Sequence, residues 1–233
     1  MKLPDCEILA FDMDGVLVEV SESYRETICR TVQHFTGRTI TRELVQEYKN
    51  KGGFNNDWLL SQTIAADLGV TVAFDTVVDY FNSIFFGNTV DGVPDGLMAR
   101  EQWIAKPGVL EKLASRYHLC VFTGREHEEA MMTIRRFSNG VKFDPVLGAD
   151  QVANAKPAPD GLIKLQDMFP DGEMWYVGDT VDDARCARLA GVPFFGIAAP
   201  TVSHRERLLE LFEQENAMTV LESINQLPEV LNL

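Results

Sequence analysis

Short apolar segments that end in polar residues are the feature that most constrains the fold of this chain. Four of them run directly into a polar cluster, and a fifth follows a helical stretch. In chain order they are residues 7–15 (EILAFDMDG), 118–125 (HLCVFTGR), 143–150 (FDPVLGAD), 174–180 (MWYVGDT) and 193–198 (PFFGIA). Apolar runs of this length, without alternating polar residues, are typical of strands that are buried on both faces of a sheet.

Amphipathic patterns typical of helices alternate with these segments from about residue 107 onward. They cover residues 108–117, 128–137, 159–169 and 181–191. This alternation predicts an α/β fold, with a Rossmann-like parallel sheet and helices on both of its faces. Such sheets bind ligands at the carboxyl ends of their strands, and the polar clusters of this sequence lie at those ends.

Residues 19–98 break the alternation, because they carry four consecutive helical patterns. The patterns are punctuated by glycines and cover residues 21–37, 41–52, 57–69 and 74–87. We therefore predict an all-helical insert, a cap domain, over residues 19–98, directly after the first strand. Residues 1–18 and 99–233 would together form the core domain.

The charge of the chain argues against two classes of partner. The sequence has 21 Lys and Arg residues against 35 Asp and Glu residues, which gives a formal net charge of −14. So acidic a surface repels polyanions, and we expect neither nucleic acid nor a membrane as a partner. For the same reason, an anionic substrate would need a local cationic site.

The cysteines and the apolar runs are those expected of a soluble cytoplasmic protein. Cys6, Cys29, Cys120 and Cys186 form no C-x-x-C pair and have no histidine cluster near them. They are therefore interpreted as reduced, mostly buried thiols, rather than as disulfides or a zinc site. No apolar run approaches the roughly 20 residues of a membrane helix, and the N-terminal residues lack the pattern of a secretory signal.

Two acids, Asp12 and Asp14, follow the first predicted strand with one residue between them. In an extended segment they would point to the same side. Two carboxylates that close repel each other, unless a cation lies between them or one of them is protonated. The alternative is a solvated turn, where acids before a glycine are common. The long apolar lead-in favours the functional interpretation.

Further acids follow the strand predicted at residues 174–178. Asp179 comes directly after it, whereas Asp182 and Asp183 fall in the first turn of the next helix, where acids also serve as caps. Carboxylates that converge from two strand ends suit Mg²⁺, which prefers oxygen ligands and is usually held by one or two carboxylates together with substrate phosphate.

Two other loops offer groups that bind an anion. Thr123 and Gly124 supply a hydroxyl and free backbone N–H groups of the kind that bind phosphate, although a plain helix cap has the same pattern. Lys156 precedes a proline that limits where it can point. It would be a charge clamp if it faced a metal and a phosphate, and is otherwise a solvated loop residue.

The order of these four motifs resembles the haloacid dehalogenase-like (HAD) superfamily of phosphotransferases. The motifs are apolar-D-x-D-G, apolar-T-G, K-P and apolar-G-D-x-x-x-D, and they span Asp12 to Asp183. Each is weak alone, but four in this order at strand ends form a strong signal. The helical insert after the first motif resembles the C1-type cap of phosphoglycolate phosphatase-like and β-phosphoglucomutase-like members.

The resemblance implies a Mg²⁺-dependent phosphatase that acts on a small phosphorylated metabolite. Asp12 would be the nucleophile that forms an aspartyl-phosphate. Asp14 would protonate the leaving oxygen and then activate water, with its carbonyl as a metal ligand. Asp12 and Asp179 would be direct Mg²⁺ ligands, and Asp183 would order the waters of the metal. Asp182 would share that role or cap the helix.

The remaining motif residues would hold the phosphoryl group. Thr123 and the Gly124 amide would bind its oxygens, and Lys156 would neutralise the developing charge and steady Asp12. The acid at Asp14 favours a phosphatase or a phosphomutase over a dehalogenase or an ion-pumping ATPase, which in this superfamily lack an acid there. The sequence also leaves open a catalytically inactive binding module, and a doubly wound nucleotide-binding or response-regulator-like protein.

One loop of the insert carries candidate substrate contacts. Residues 48–60 (YKNKGGFNNDWLL) match the position of the specificity loop in the resembling capped enzymes. Lys51, Gly52, Asn55 and Asn56 would contact the part of the substrate beyond the phosphate. The alternative is an ordinary helix–loop–helix connection, with a glycine ending one helix and Asp57 capping the next. Outside the insert, Arg125 is a further candidate for binding a substrate carboxylate or phosphate.

Overall fold

The computed structural model describes residues 7–90 and 93–233 of the chain. Within these residues the strands are β1 (Ile8–Phe11), β2 (Val18–Glu19), β3 (Thr89–Val90), β4 (Val93–Pro94), β5 (Gln102–Trp103), β6 (His118–Phe122), β7 (Val146–Leu147), β8 (Met174–Gly178), β9 (Phe194–Ile197) and β10 (Thr219–Leu221). The α-helices are α1 (Tyr24–Thr36), α2 (Arg42–Lys51), α3 (Asp57–Asp67), α4 (Phe74–Phe85), α5 (Val109–Ala114), α6 (His127–Phe137), α7 (Asp160–Met168), α8 (Val181–Ala190), α9 (Arg205–Gln214) and α10 (Leu227–Val230). Short 3₁₀ helices occur at Leu97–Arg100, Ala149–Gln151 and Ile224–Gln226.

The chain divides into two compact units. One unit combines the residues up to Val18 with Trp103–Leu233, and the other consists of Glu19–Gln102. The sequence predicted that the chain would return to the core at residue 99, a few residues before the division that the structure makes. β2 and β5 form a separate two-stranded sheet.

A six-stranded sheet in the order β10-β9-β8-β1-β6-β7 forms the first unit. Every neighbouring pair in it is parallel. β1 lies inside the sheet, where Ile8–Phe11 pairs with β6 on one side and with β8 on the other. This arrangement confirms the predicted α/β fold and makes the strands that precede three of the four motifs direct neighbours.

The strands of this sheet are apolar because helices cover them. Every residue of β1 and β8 is buried. Helices α7, α8 and α9 contribute to one cluster with the sheet, whose larger members include Phe122, Leu165, Tyr176, Phe194 and Phe212. α5 packs against β6, and α6 packs against β7. A sheet flanked by helices needs no polar alternation along its strands, which is the pattern that the sequence shows.

The two ends of the sheet are the parts that the sequence indicated least well. The apolar run at residues 143–150 contributes only the two residues of β7, at one end of the strand order. The strand at the other end, β10, was missed, because three residues of a half-buried segment give too short a pattern to recognise.

The second unit is mostly helical, with α1 packed against α2, α3 and α4. An aromatic group that includes Tyr24, Phe81 and Phe85 lies in its core, and the rings of Tyr24 and Phe85 are 4.2 Å apart between centroids. The prediction of an all-helical insert is wrong in one detail, since β3 and β4 pair as a short antiparallel ladder. The two residues between them in sequence are Asp-Gly, a dipeptide common between hairpin strands.

The described cysteines carry free thiols. Cys120 and Cys186 are buried, and burial raises the pKa of each thiol to about 12. Cys29 is partly exposed, with a pKa of about 11 that has the same main cause. Cys6 lies outside the described residues. None of the described helices is long and apolar enough to cross a membrane.

Candidate active site

Three polar clusters meet at the carboxyl edge of the sheet because their strands are adjacent. Asp12 follows β1, Thr123 follows β6, and Asp179 follows β8. The backbone N–H of Asp12 donates to the Val177 carbonyl at 2.7 Å, so hydrogen bonding of the sheet extends past the end of β1. The backbone of the first acid is therefore held rigidly, as a functional group on a strand end should be.

Lys156 is the buried cation of this edge. Its Nζ donates to Oδ1 of Asp12 at 2.7 Å, to Oδ1 of Asp183 at 2.7 Å and to the hydroxyl of Tyr176 at 2.8 Å. The Lys156 side chain has no exposed surface. An ammonium has three N–H donors, and these three contacts use all of them. The structure places Lys156 against Asp12, whereas its predicted roles in steadying Asp12 and in contacting phosphate stay predictions.

Tyr176 is a member of the site that the sequence did not reveal. Its hydroxyl accepts from Lys156 and lies 2.9 Å from Asp183 Oδ1 and 3.0 Å from the Phe122 carbonyl, either of which can accept its proton. The residue belongs to an apolar strand and is fully buried. The only signal in the sequence was a phenol within a run otherwise without polar side chains.

Burial and charge shift the pKa values of this cluster in different directions. Burial raises the pKa of Asp12 to about 7, while Lys156 opposes the change and Asp183 and Asp14 add to it. Burial would lower the pKa of Lys156, but the carboxylates of Asp12 and Asp183 outweigh it and raise that pKa. Burial also opposes ionisation of Asp183, yet Lys156 and hydrogen bonds hold its pKa below the ordinary value.

A metal ion would find a suitable set of ligands among these acids. Asp12, Asp179 and Asp183 each present a carboxylate oxygen, and the three oxygens lie within 4.8 Å of one another. Asp183 is the least available, because its Oδ2 also accepts from Thr180 Oγ1 at 2.6 Å. An all-oxygen set of this kind suits a hard divalent cation. A cation would also offset the cost of ionising the buried Asp12.

Gly15 makes room for one of these acids. A Cβ atom at Gly15 would lie 1.9 Å from Asp179 Oδ2, so any other residue would displace that carboxylate. Gly15 also has a φ of +73°, in the left-handed region that side chains disfavour. The glycine after the two acids is therefore required by both the turn and the carboxylate beside it.

Asp14 is paired with an arginine. Its Oδ1 accepts from Nε and Nη2 of Arg125, at 2.8 and 2.5 Å, and Nη1 of Arg125 donates to Thr133 Oγ1 at 2.8 Å. Arg125 is 3% exposed. These contacts tie Arg125 to protein groups, and the prediction that it binds substrate stays a prediction. Thr133, on α6, was missed because its position in a helix gave no signal.

The start of α8 separates the roles of its polar residues. Thr180 is the N-cap, with its Oγ1 accepting from the Asp183 N–H at 3.2 Å while Asp183 Oδ2 accepts from the Thr180 N–H at 3.0 Å. This reciprocal pair is a capping box. Asp182 is buried and lies 3.9 Å from Arg185, one turn further along α8. Asp183 is thus both a cap of the helix and a partner of Lys156.

Thr123 and Gly124 lie where an anion site was predicted. Thr123 is buried, and its Oγ1 accepts from the backbone N–H of Arg125 at 3.3 Å. Its hydroxyl proton therefore points elsewhere, and Gly124 is partly exposed. The binding of phosphoryl oxygens by these two residues stays a prediction.

The candidate specificity loop of the second unit has largely structural contacts. Asn56, rather than Asp57, caps α3, with its side chain accepting from the Leu59 N–H at 2.9 Å. The expectation that Asp57 is the cap was therefore wrong. Asp57 instead pairs with Lys49 at 2.5 Å. Lys51 lies 3.9 Å above the ring of Tyr48.

Gly52 ends α2 with a φ of +81°, as the helix–loop–helix alternative requires. Asn55 is partly exposed between the two helices. Contact of Lys51, Gly52, Asn55 and Asn56 with a substrate stays a prediction.

Comparisons with known proteins agree with the fold and show the family. The family model described as haloacid dehalogenase-like hydrolase matches residues 9–197. An imidazoleglycerol-phosphate dehydratase of Phytophthora nicotianae is 31% identical over 92% of this chain and 50% of its own length. A protein of Dickeya dadantii named "Probable phosphatase IndB" is 36% identical over 39% of this chain and 42% of its own length. This chain spans about half the length of the curated relatives it matches.

Among solved structures, phosphatase Tt82 of Thermococcus thioreducens is similar to this chain. It is 25% identical with a TM-score of 0.63, and the match covers 87% of this chain and 99% of that one. The fold of a solved protein named as a phosphatase is therefore similar to most of this chain.

Proposed function

The chain belongs to the haloacid dehalogenase-like hydrolase family, and we propose that it is a Mg²⁺-dependent phosphatase acting on small phosphorylated metabolites through an aspartyl-phosphate. The observation that carries the proposal is the surroundings of Asp12. This carboxylate is buried, its Oδ1 is held by Lys156, and two further carboxylates face it within 4.8 Å. The Dickeya and Thermococcus proteins, both named as phosphatases, support the reaction class.

The two oxygens of Asp12 have unequal surroundings. Oδ1 accepts from Lys156, whereas Oδ2 accepts no hydrogen bond from the part of the chain that the structure describes. Oδ2 is therefore the oxygen free to attack phosphorus. Lys156 keeps the carboxylate oriented and stabilises its ionised form, which burial alone would disfavour.

Asp14 would move the proton in both halves of the reaction. As an acid it would protonate the departing alcohol when Asp12 takes the phosphoryl group. As a base it would then remove a proton from the water that hydrolyses the aspartyl-phosphate. Its side chain is 30% exposed, in contrast to the buried Asp12, so a leaving group and a water could both reach it.

The charges of the site favour a divalent cation. The carboxylates of Asp12, Asp179 and Asp183 lie within 4.8 Å of one another, and Lys156 pairs with Asp12 and Asp183. Asp12 and Asp179 would hold Mg²⁺ directly, with Asp183 acting through its waters. When bound, the ion would offset the repulsion among these carboxylates and neutralise the charge of the phosphoryl group.

The substrate would be a small phosphate monoester. Thr123 and the Gly124 amide would hold its phosphoryl oxygens at the end of β6. The helical unit would act as a cap, and Lys51, Gly52, Asn55 and Asn56 are the residues proposed to select the remainder of the substrate.

Replacement of Asp12 by Asn tests the covalent mechanism. D12N should fold and lose hydrolysis of p-nitrophenyl phosphate, because an amide is not nucleophilic enough to form the intermediate. Asp171→Asn, an exposed acid in the loop before β8, is the matched control and should retain wild-type rates. Hydrolysis by D12N at the wild-type rate would rule out Asp12 as the nucleophile.

Removal of metal tests the second half of the proposal. Exhaustive treatment with EDTA should abolish hydrolysis, and added Mg²⁺ should restore it. Activity that survives chelation would remove the metal from the mechanism. With sugar phosphates as substrates, release of inorganic phosphate supports a phosphatase, whereas an isomerised sugar phosphate would identify a mutase.

A further inference from the structure

We propose that Arg125 is a positioning residue, which holds one oxygen of Asp14 so that the other is aimed for proton transfer. The inference rests on the proposed function, because it concerns how Asp14 would act as acid and base in that reaction. It assigns to Arg125 a role different from the substrate contact that the sequence suggested.

The contact between Arg125 and Asp14 consists of two hydrogen bonds from one guanidinium to one carboxylate oxygen. Nε and Nη2 of Arg125 both donate to the same atom, Oδ1 of Asp14, at 2.8 and 2.5 Å. Two donors on one rigid plane fix the direction of that carboxylate more closely than a single flexible ammonium could. Oδ2 of Asp14 has no hydrogen-bond partner among residues 7–90 and 93–233. One oxygen is thus restrained and the other is available for a proton.

The arginine is itself held in place. Its side chain is 1% exposed, and Nη1 donates to Thr133 Oγ1 at 2.8 Å, on a buried position of α6. The backbone is also fixed, since the Arg125 carbonyl accepts from the Ala149 N–H at 2.8 Å. A buried side chain anchored at both ends has little freedom to follow a substrate. The fixed guanidinium therefore restricts the orientation of the Asp14 carboxylate that it contacts.

The position of Arg125 argues against direct contact with a substrate. All three guanidinium nitrogens donate to protein oxygens. A substrate anion would have to break a charge-assisted hydrogen bond inside the protein to reach them. Asp14, with a side chain that is 30% exposed, is the member of the pair that a substrate can reach.

The test uses three aryl esters whose leaving groups need protonation to different degrees. p-Nitrophenyl phosphate has a good leaving group that departs with little help from an acid, whereas phenyl and p-methoxyphenyl phosphate depend on protonation. The ratio kcat/KM reports the steps up to the first irreversible one, which is transfer of phosphate to Asp12. If the Asp14 carboxylate is misoriented, the loss in kcat/KM must therefore grow as the leaving group becomes more basic.

Arg125→Met should lower kcat/KM for p-methoxyphenyl phosphate by roughly 100-fold, the order of loss caused by a misplacement of about 1 Å. The loss for p-nitrophenyl phosphate should be at least about tenfold smaller. Arg125→Lys keeps the charge but cannot reach both partners, so it should show the same trend to a lesser degree. Arg135→Met, an exposed arginine on the same helix as Thr133, is the matched control.

Thr133 provides a second, gentler perturbation. Thr133→Val keeps the shape but removes the acceptor of Nη1, and should steepen the dependence on the leaving group. Thr133→Ser restores a hydroxyl and should recover the shallower dependence of the wild type. This rescue would not occur if the position mattered only through packing.

Double substitution distinguishes positioning from general damage. In a D14N background, R125M should cause little further loss, because the group that it positions is already gone. The double variant also removes both charges together, so it leaves no unpaired ion to unfold the protein. Equal losses on all three esters, or an undiminished effect of R125M in D14N, would overturn the inference alone. A wild-type enzyme that hydrolyses none of the esters would overturn the proposed function, and this inference with it.

Discussion

Replacing Lys156 by Met removes the cation that two buried carboxylates share. The Lys156 side chain has no exposed surface, and its ammonium contacts Asp12 and Asp183 at 2.7 Å each. After the substitution these acids would face each other without compensation, although Met fills most of the volume of the lysine stem. The perturbation is therefore almost purely electrostatic.

The expected cost follows from the burial of the partners. The side chain of Asp183 has no exposed surface and that of Asp12 is 7% exposed, so water can replace little of the lost interaction. Removing one partner of such a buried pair costs about 3–5 kcal/mol. This is a large share of a total free energy of unfolding of about 5–15 kcal/mol.

The assay needs a signal from the unit that contains the sheet. Trp103 and Trp175 lie in that unit and Trp58 lies in the helical one, so a Trp58→Phe background confines the fluorescence to the former. Urea titrations in EDTA then give the free energy of unfolding by linear extrapolation. Lys164→Met, an exposed lysine on α7, is the control and should change stability by about 0.5 kcal/mol or less.

A partner substitution shows whether the cost is electrostatic. In Asp183→Asn the amide oxygen can still accept from Thr180, but its nitrogen would face both the Tyr176 hydroxyl and the Lys156 ammonium. In that background K156M should lower the free energy of unfolding by at least about 1 kcal/mol less than it does in the wild type, since it leaves only Asp12 as an unpaired carboxylate. A cost under about 1 kcal/mol in the wild type, or an equal cost in both backgrounds, would refute the reasoning.

Two further predictions concern a close contact and an ion pair. Gly15→Ala should raise the Mg²⁺ concentration needed for half-maximal activity, because its Cβ displaces Asp179, whereas Gly37→Ala, with a similar φ of +68° and open space around it, should not. An unchanged Mg²⁺ requirement in G15A would contradict the assigned contact. Burial opposes ionisation of Glu215, but hydrogen bonds from two arginines of α8 hold its pKa below the ordinary value of 4.5. The ion pairs of Glu215 therefore stabilise the fold above about pH 4.5 and are lost as the pH falls through the lowered pKa. Urea titrations from neutral pH to about pH 3 should therefore show a larger loss for the wild type than for Glu215→Gln, and equal losses would count against the pairing.

The edge of the sheet that carries the candidate site was predictable because it depends on local rules. Asp12, Thr123 and Asp179 each come directly after an apolar run, and the carboxyl ends of parallel strands share one edge of a sheet. Once the runs are identified as parallel strands, these three side chains must lie along one edge, and the strand order β8-β1-β6 makes them neighbours there. The same local rules predict a carboxylate cluster suited to a cation at that edge.

The partners of Arg125 and Tyr176 were not predictable in this way. Arg125 bonds to Asp14, which is 111 residues away in sequence, and Tyr176 bonds to Lys156, which is 20 residues away. Nothing in the local pattern distinguishes the phenol in β8 from another buried aromatic, or the arginine after Thr123 from one that binds substrate. Such pairings depend on which face of the sheet a side chain occupies and on what packs against it.

The sequence by itself determined the parallel sheet, the helical insert and the acids at the strand ends, because hydrophobic periodicity and strand polarity are properties of short segments. Only the tertiary structure decided how the charges are paired. In the folded protein Lys156 donates to three acceptors, and Asp183 both accepts from Lys156 and caps α8. Arg125 forms an ion pair with Asp14. The physical reason is that a buried ion is stable only with partners close by, and packing brings those partners together from distant parts of the chain.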